Sequence, residues 1–332
     1  MGYIRAICTS EKKGTFKTAV DEAELVENYG IKGDAHAGTL HRQVSLLSAE
    51  AVEEFINFIS TPRKTRDKTD NVVSDCRDSL IDADTQIIPG CFGENLLVEG
   101  LKLQSMRCGD RLKAGNAILE ITQRGKECHS GCEIRKLTGD CIMPRQGVFA
   151  KVISGSVIHP GDEINIIPRD QKKTYRAAVI TASDRSWTKE REDRSGPLLA
   201  QILNEQGYEV IETLLLPDEK ESIKKNLIRL SDNLDADLII TTGGTGMSER
   251  DVTPEATLEA ATRNVPGIAE AMRAASMQIT PHAMLSRGIS VMRNHTLIIN
   301  MPGSPKAVKE CFDVIKEALP HGLAILSGDG DD

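Results

Sequence analysis

Asp237-Leu238-Ile239-Ile240-Thr241-Thr242-Gly243-Gly244-Thr245-Gly246 is an apolar, β-branched run that stops abruptly in glycine. Such a run, short and bounded by turn residues, reads as a buried strand. The three glycines let backbone N–H groups come close to a bound anion, so the strand leads into a phosphate loop or a tight strand-to-helix turn. It has no Gly-Lys-Ser/Thr ending and no Gly-x-Gly-x-x-Gly spacing, which excludes the two commonest nucleotide loops. Directly after it, Arg250-Asp251-Val252-Thr253-Pro254-Glu255 brings a cation, a carboxylate and a helix start beside the glycines.

Outward from this point, strands and helices alternate. Arg176-Ala177-Ala178-Val179-Ile180-Thr181, Glu209-Val210-Ile211-Glu212-Thr213-Leu214-Leu215-Leu216 and Leu297-Ile298-Ile299-Asn300 are strand runs. A helix capped by Ser195 begins before Gly196 and Pro197, and another covers 219–233. This order predicts an α/β domain with a mostly parallel sheet and helices on both faces. Ligands in such folds sit beyond the carboxyl ends of the strands. Asp218, in Leu216-Pro217-Asp218-Glu219, ends one strand, so parallel topology would put it on the same rim as Asp251. Two carboxylates beside a phosphate loop suit magnesium and phosphoryl or nucleotidyl transfer. Taken singly, either Asp reads equally as a helix cap.

The 332 residues suit two domains. Before a charged stretch at 169–173 the grammar changes: short apolar runs, such as Ala117-Ile118-Leu119-Glu120-Ile121-Thr122, alternate with Gly and Asp turns. That spacing predicts a β-rich, barrel-like domain over 1–168, with one helix from Ser48 and a polar insertion at about 60–86. Seven of the eight cysteines lie in this half. A disulfide framework is not expected in a chain this long without an export signal, which leaves thiol chemistry, metal ligation or inert buried cysteine. Zinc would use Cys128, His129, Cys132 and Cys141, an unusual ligand spacing. Cys141, flanked by Asp140 and Arg145 in a turn-forming segment, is the candidate reactive thiol, expected to be exposed; Cys128 and Cys132, next to Lys126, are its rivals.

Composition removes whole classes of function. Aromatic residues make up 3% and the net charge is −8. Neither a stacking surface for RNA nor a basic face for duplex DNA is available, so no nucleic-acid partner is expected. No apolar run reaches the ~20 residues of a membrane span, and the expected location is cytoplasmic.

Residues 175–327 resemble the molybdopterin-binding family of bacterial molybdopterin adenylyltransferases (Mog/MoaB type) and the gephyrin G domain. The segments that carry the resemblance are Thr181-Ala182-Ser183-Asp184, Glu192-Asp193-Arg194-Ser195-Gly196-Pro197, Leu216-Pro217-Asp218-Glu219, the glycine loop, Arg250-Asp251-Val252-Thr253-Pro254-Glu255-Ala256-Thr257, Met284-Leu285-Ser286-Arg287 and Asn300-Met301-Pro302-Gly303-Ser304-Pro305-Lys306. The resemblance implies magnesium- and ATP-dependent adenylylation of molybdopterin, with release of pyrophosphate, in a homotrimer. Asp218 and Asp251 would be the catalytic carboxylates and hold the magnesium. Ser183, Asp184, Ser195, Gly196, Thr242, Gly243, Gly244, Thr245 and Gly246 would face the nucleotide, with Pro302, Gly303 and Ser304 on the pterin side.

Residues 1–167 resemble the MOSC domain, named for the C-terminal domain of molybdenum cofactor sulfurases. The pieces are Gly30-Ile31-Lys32-Gly33-Asp34-Ala35-His36, His41-Arg42-Gln43-Val44, Pro89-Gly90-Cys91-Phe92-Gly93-Glu94-Asn95, Gly109-Asp110, the Cys141 segment and Pro160-Gly161-Asp162. The resemblance implies a β-rich fold that binds molybdenum cofactor or carries sulfur on Cys141, with Lys32, His36, His41 and Arg42 around an anionic ligand. Residues 174–328 would then be the adenylyltransferase domain, 169–173 a linker and 329–332 an acidic tail. Molybdenum or tungsten enzymes would be the recipients of the cofactor. Two other classes stay open: a non-catalytic protein that stores or inserts finished cofactor, and an N-terminal reductase or detoxification module.

Overall fold

The computed structural model describes residues 1–38, 41–60, 88–126, 141–168 and 174–328, and the chain divides into two compact units, Met1–Asp170 and Gln171–Asp332. The linker at 169–173, the tail at 329–332, nearly all of the 60–86 insertion, and Cys128, His129 and Cys132 lie outside the described residues.

In the N-terminal unit seven strands close a barrel: β1 (Gly2–Thr9), β2 (Val44–Ser48), β3 (Leu96–Glu99), β4 (Arg111–Ala114), β5 (Ala117–Arg124), β6 (Val148–Ser154) and β7 (Glu163–Ile167). Their order around the barrel is β7-β4-β5-β6-β2-β3-β1, and β1 closes the circle on β7 through Gly2 opposite Ile164. Of these pairings only β2 with β3 is parallel. Alternation explains the closure: β5 reads buried, half-buried, buried along its whole length, and Leu119 and Ile121 point inward with Leu46, Leu96, Val98, Leu112 and Val152. The closed barrel is the β-rich, barrel-like domain that the sequence grammar expects, and a further short strand, Thr18–Val20, adds onto β1.

Helix α1 (Ala49–Ser60) starts where Ser48 Oγ accepts from the Ala51 N–H at 3.1 Å, the capping role its sequence suggests. It packs outside the barrel, where Val52, Phe55 and Ile56 meet Phe92, Ile142 and Met143 in a second core. Phe55 and Phe92 are edge to face with centroids 5.5 Å apart.

The C-terminal unit is a three-layer α/β sandwich. Its sheet comprises β8 (Arg176–Ala182), β9 (Glu209–Leu216), β10 (Leu238–Thr242), β11 (Arg263–Asn264), β12 (Ser290–Arg293) and β13 (Thr296–Met301), in the order β9-β8-β10-β13-β12-β11. The first four are parallel and the last two antiparallel, so the sheet is mixed. Consecutive residues of the central strands feed opposite cores. Ala177, Val179, Leu238 and Ile240 pack with Leu199, Leu203, Val308 and Phe312; Ala178, Ile180 and Ile239 pack with Ile223, Leu227 and Ala256. Burial on both faces is why these strands read as unbroken apolar runs.

Helix α2 (Ser195–Glu205) is not capped by Ser195, as its sequence suggests. The cap is Asp193, whose Oδ1 accepts from the backbone of Ser195 and Gly196, and from Ser195 Oγ, all at 3.1 Å. A carboxylate at that point meets the positive end of the helix dipole, which a neutral serine does not. Helix α3 (Lys220–Asp232) follows β9, and α4 (Thr253–Ala260) follows the glycine loop.

Candidate active site

Beyond the carboxyl ends of β8, β9, β10 and β13 lies a polar cavity of about 860 Å³. Ser183, Asp184, Ser195, Asp218, Gly243, Gly244, Thr245, Gly246, Asp251, Gly303 and Ser304 line it. Residues far apart in sequence meet here because parallel strands end on one rim.

The glycine loop is shaped by backbone that side chains would not tolerate. Gly243 has φ +95°, and a Cβ there would overlap the Ala182 carbonyl. Gly244 has φ +61°, and its Cβ would overlap Thr253 Oγ1 and lie 2.9 Å from Asp218 Oδ1. Thr242 is fully buried, donating through Oγ1 to the Pro302 carbonyl at 2.8 Å, which ties the loop to the 302–304 turn. Ser304 Oγ accepts from the Ala307 N–H at 3.2 Å and caps α6 (Pro305–Ile315), itself preceded by α5 (Pro266–Met277). Ser183 likewise caps the turn Asp184–Trp187. Gly196 lies behind the rim, against Thr181 Oγ1 and Asp193.

Asp218 does not cap α3. Its Oδ2 accepts from the Asp184 N–H at 2.9 Å, while the Asp218 N–H donates back to Asp184 Oδ1 at 3.0 Å. This reciprocal pair locks two strand ends together and aims both acids at the cavity. Arg250 forks onto Asp184 at 2.9 and 3.0 Å, and that hydrogen bonding holds the Asp184 carboxyl below the usual carboxylate range. Asp218 is shifted the other way. Burial raises its pKa first, and the carboxylates of Asp184 and Asp251 add to the effect. Its Oδ1 is buried without a hydrogen-bond partner.

Asp251 Oδ2 accepts from the Ser248 N–H at 2.9 Å, within a turn held from outside by Arg287. The Arg287 guanidinium donates to the Gly246 carbonyl at 2.6 Å, to the Asp251 carbonyl and to Glu255. Sequence alone singles out neither Arg287 nor Thr253 as a site residue. Arg287 carried a usable signal, its place in Met284-Leu285-Ser286-Arg287, one of the segments that carry the resemblance. Thr253 gave none, because Thr before Pro at a helix start reads as a cap.

A second cavity of about 460 Å³ adjoins the first across Thr245 and Gly246. Pro302, Met272, Leu285, Ile279 and Ala307 make it mostly apolar, with Arg273 and His282 among its polar members.

Magnesium would find no preformed cage here. Among the described residues no three His, Cys, Asp or Glu side chains form a metal cluster. Asp218, whose Oδ1 is buried and unpartnered, lines the cavity with Asp251, and the pair fits an ion that takes its other ligands from phosphate, the usual habit of Mg²⁺.

In the N-terminal unit the expected cations have separate partners. Lys32 pairs with Glu24 at 2.6 Å, His41 meets Gln123 at 3.1 Å, and Arg42 lies over the Phe149 ring at 5.8 Å. His36 sits 3.3 Å from Lys17 Nζ, which is wholly buried against Asp34 at 2.5 Å. Burial disfavours the Asp34 charge, but the bonds from His36 and Lys17 outweigh it and hold its pKa low. Cys141 is not the exposed thiol expected: it is 4% exposed, packed with Cys91, Phe92 and Ile142. The one-turn helix Met143–Gln146 drives Ile142 and Met143 into the core and carries Cys141 with them.

Residues 178–321 match the family model "Probable molybdopterin binding domain", and residues 33–165 match the MOSC domain model. A molybdopterin adenylyltransferase of Helicobacter pylori is 39% identical over 158 residues, covering 47% of this chain and 90% of the relative. That of Escherichia coli K12 is 41% identical over 157 residues, covering 45% and 80%. A solved structure of the molybdopterin biosynthesis enzyme MoaB from Thermus thermophilus is 42% identical, covers 47% of this chain and 99% of its own, and has a TM-score of 0.45. Among the described residues no helix is long and apolar enough to cross a membrane. By that similarity over its C-terminal unit the chain belongs to the molybdopterin adenylyltransferase family, and it carries a MOSC domain ahead of that unit.

Proposed function

We propose that the C-terminal unit adenylylates molybdopterin with magnesium-ATP. The observation that carries this reading is the meeting of Asp218 and Asp251 on the 243–246 loop, with the inner oxygen of Asp218 unpartnered. An oxygen of the molybdopterin phosphate attacks the α-phosphorus of ATP, the bond to the bridging oxygen breaks, and pyrophosphate leaves with its electron pair. Magnesium, held by Asp218 and Asp251, would supply positive charge to the phosphate oxygens. The loop's N–H groups orient the triphosphate, and Arg250 stands at the rim to meet the leaving pyrophosphate. The polar cavity suits the phosphates, and the apolar one beside it, walled by Pro302, suits a flat heterocycle. Thr245 and Gly246, common to both, would sit at the junction of phosphate and ring.

The N-terminal barrel, in this proposal, binds the molybdenum cofactor or its precursor, and tethering keeps an unstable pterin near both units. Assembly as a homotrimer and a cytoplasmic location complete the reading. Incubating the purified chain with molybdopterin, ATP and Mg²⁺ tests it. Stoichiometric pyrophosphate release is expected; retention of pterin without pyrophosphate would make the protein a carrier.

A further inference from the structure

Thr253 is the first residue of α4 and is wholly buried, yet its Oγ1 has no hydrogen-bond partner. A buried hydroxyl left unpaired is unfavourable, so such groups mark a missing neighbour. Its backbone has no such deficit, since the Thr253 N–H donates to the Gly244 carbonyl at 3.1 Å. The hydroxyl faces the space that a side chain at Gly244 would fill, and Asp218 Oδ1, also buried and unpartnered, faces the same space. Two orphaned oxygens from different elements, one beside the helix start and one beyond a strand end, therefore converge behind the glycine loop. Glycine at 244 lets both oxygens approach the loop backbone, because any Cβ would displace both.

We propose that Thr253 Oγ1 is a ligand of the divalent cation, completing with Asp218 Oδ1 an inner half-site behind Gly244. A neutral hydroxyl suits the position: it offers lone pairs to a hard cation without adding a further charge to Asp184, Asp218 and Asp251. With Asp251 and phosphate oxygens, the Thr253 hydroxyl and the Asp218 carboxylate would give Mg²⁺ its oxygen ligands without a preformed cage. This inference rests on the cation assigned to the site above.

The test uses the full chain, Mn²⁺ as the probe and α,β-methylene-ATP, with free Mn²⁺ followed by electron paramagnetic resonance. Thr253→Val should weaken Mn²⁺ binding roughly 10-fold, the scale of one hydrogen-bond-strength contact to a charge. Thr253→Ser, which keeps the hydroxyl, should bind as the parent does. In the absence of cation the valine variant should melt no lower than the parent, because a methyl replaces an unpartnered hydroxyl. The melting-temperature rise on adding Mn²⁺ should shrink with the lost affinity. Parental Mn²⁺ affinity in Thr253→Val, loss in both variants alike, or no Mn²⁺ binding by the parent would each overturn the proposal. Hydroxyl-dependent binding without pyrophosphate release would instead remove adenylyl transfer and leave the ligand assignment standing.

Discussion

Asp218 and Asp251 do different work on one rim. Burial and the neighbouring carboxylates raise the pKa of Asp218, whereas Asp251 is held by the Ser248 N–H and a turn that Arg287 fastens. Changing Asp251 to Asn should lower kcat for adenylylation by about 10²-fold or more, the scale of electrostatic contributions to charged transition states. Pterin binding, measured by fluorescence, should survive, because only charge at the phosphates is removed. Full turnover by that variant would exclude Asp251 from the mechanism. At Cys141 the expectation follows burial: a small alkylating reagent should modify it far more slowly in the native chain than after unfolding, as peptide mass mapping reads. Rapid native labelling would mean that the Cys141 segment opens in solution. Nearby thiols are held inert by the same desolvation, which pushes Cys8 up to about 12 and Cys91 higher still.

Among the elements, the turn after β10 is the least forgiving. At Gly243 an alanine would need a left-handed backbone and would drive its methyl into the Ala182 carbonyl at the end of β8. Gly243→Ala should cost about 1–3 kcal/mol in chemical unfolding, the range for such backbone strain, and abolish turnover. An unchanged unfolding midpoint would show that the loop relaxes freely. The turn before β3 carries a different liability. Glu94 is completely buried, accepting from the N–H groups of Gly90 and Phe92 at 2.7 and 3.1 Å. Burial outweighs those bonds and raises its pKa to about 7. A carboxyl whose folded pKa is raised binds its proton more tightly when folded, so its contribution favours the native state at low pH. That contribution fades as pH climbs from about 4.5 to about 7, the unfolded and folded pKa values. Hydrogen exchange in β2 and β3 should therefore quicken over this window beyond its intrinsic pH dependence, and Glu94→Gln should remove the excess. A variant with the parent's excess would assign the effect elsewhere, Asp34 being excluded because it titrates below the window.

At the scale of the whole molecule, the two units have separate cores and no strand passes between their sheets among the described residues. A fragment beginning at Lys173 should fold, self-associate and keep the adenylyltransferase rate of the full chain, by pyrophosphate assay and light scattering. Folded but inactive fragment would mean that the barrel completes the site. Limited proteolysis should release such a fragment by cutting near 169–173, a charged stretch poor in apolar anchors.

Much of this was legible in the sequence because periodicity and glycine are local facts. Strands buried on both faces, as at Ile239 and Ile240, must be continuously apolar, and a backbone like that of Gly243 admits little else, so fold class and the tight glycine turn could be read directly. Parallel topology even carried Asp218 and Asp251 to one rim before any coordinates. Tertiary structure alone decided which groups lack partners and which are covered. Nothing local distinguishes Thr253 from an ordinary helix cap, or Asp193 from Ser195 as the residue that caps α2. Cys141 sits among turn-forming, charged neighbours, but its burial depends on Phe92 and α1, both far earlier in the chain. Hydrogen-bond deficits and burial are sums over contacts distant in sequence, and folding must bring those contacts together before the sums exist.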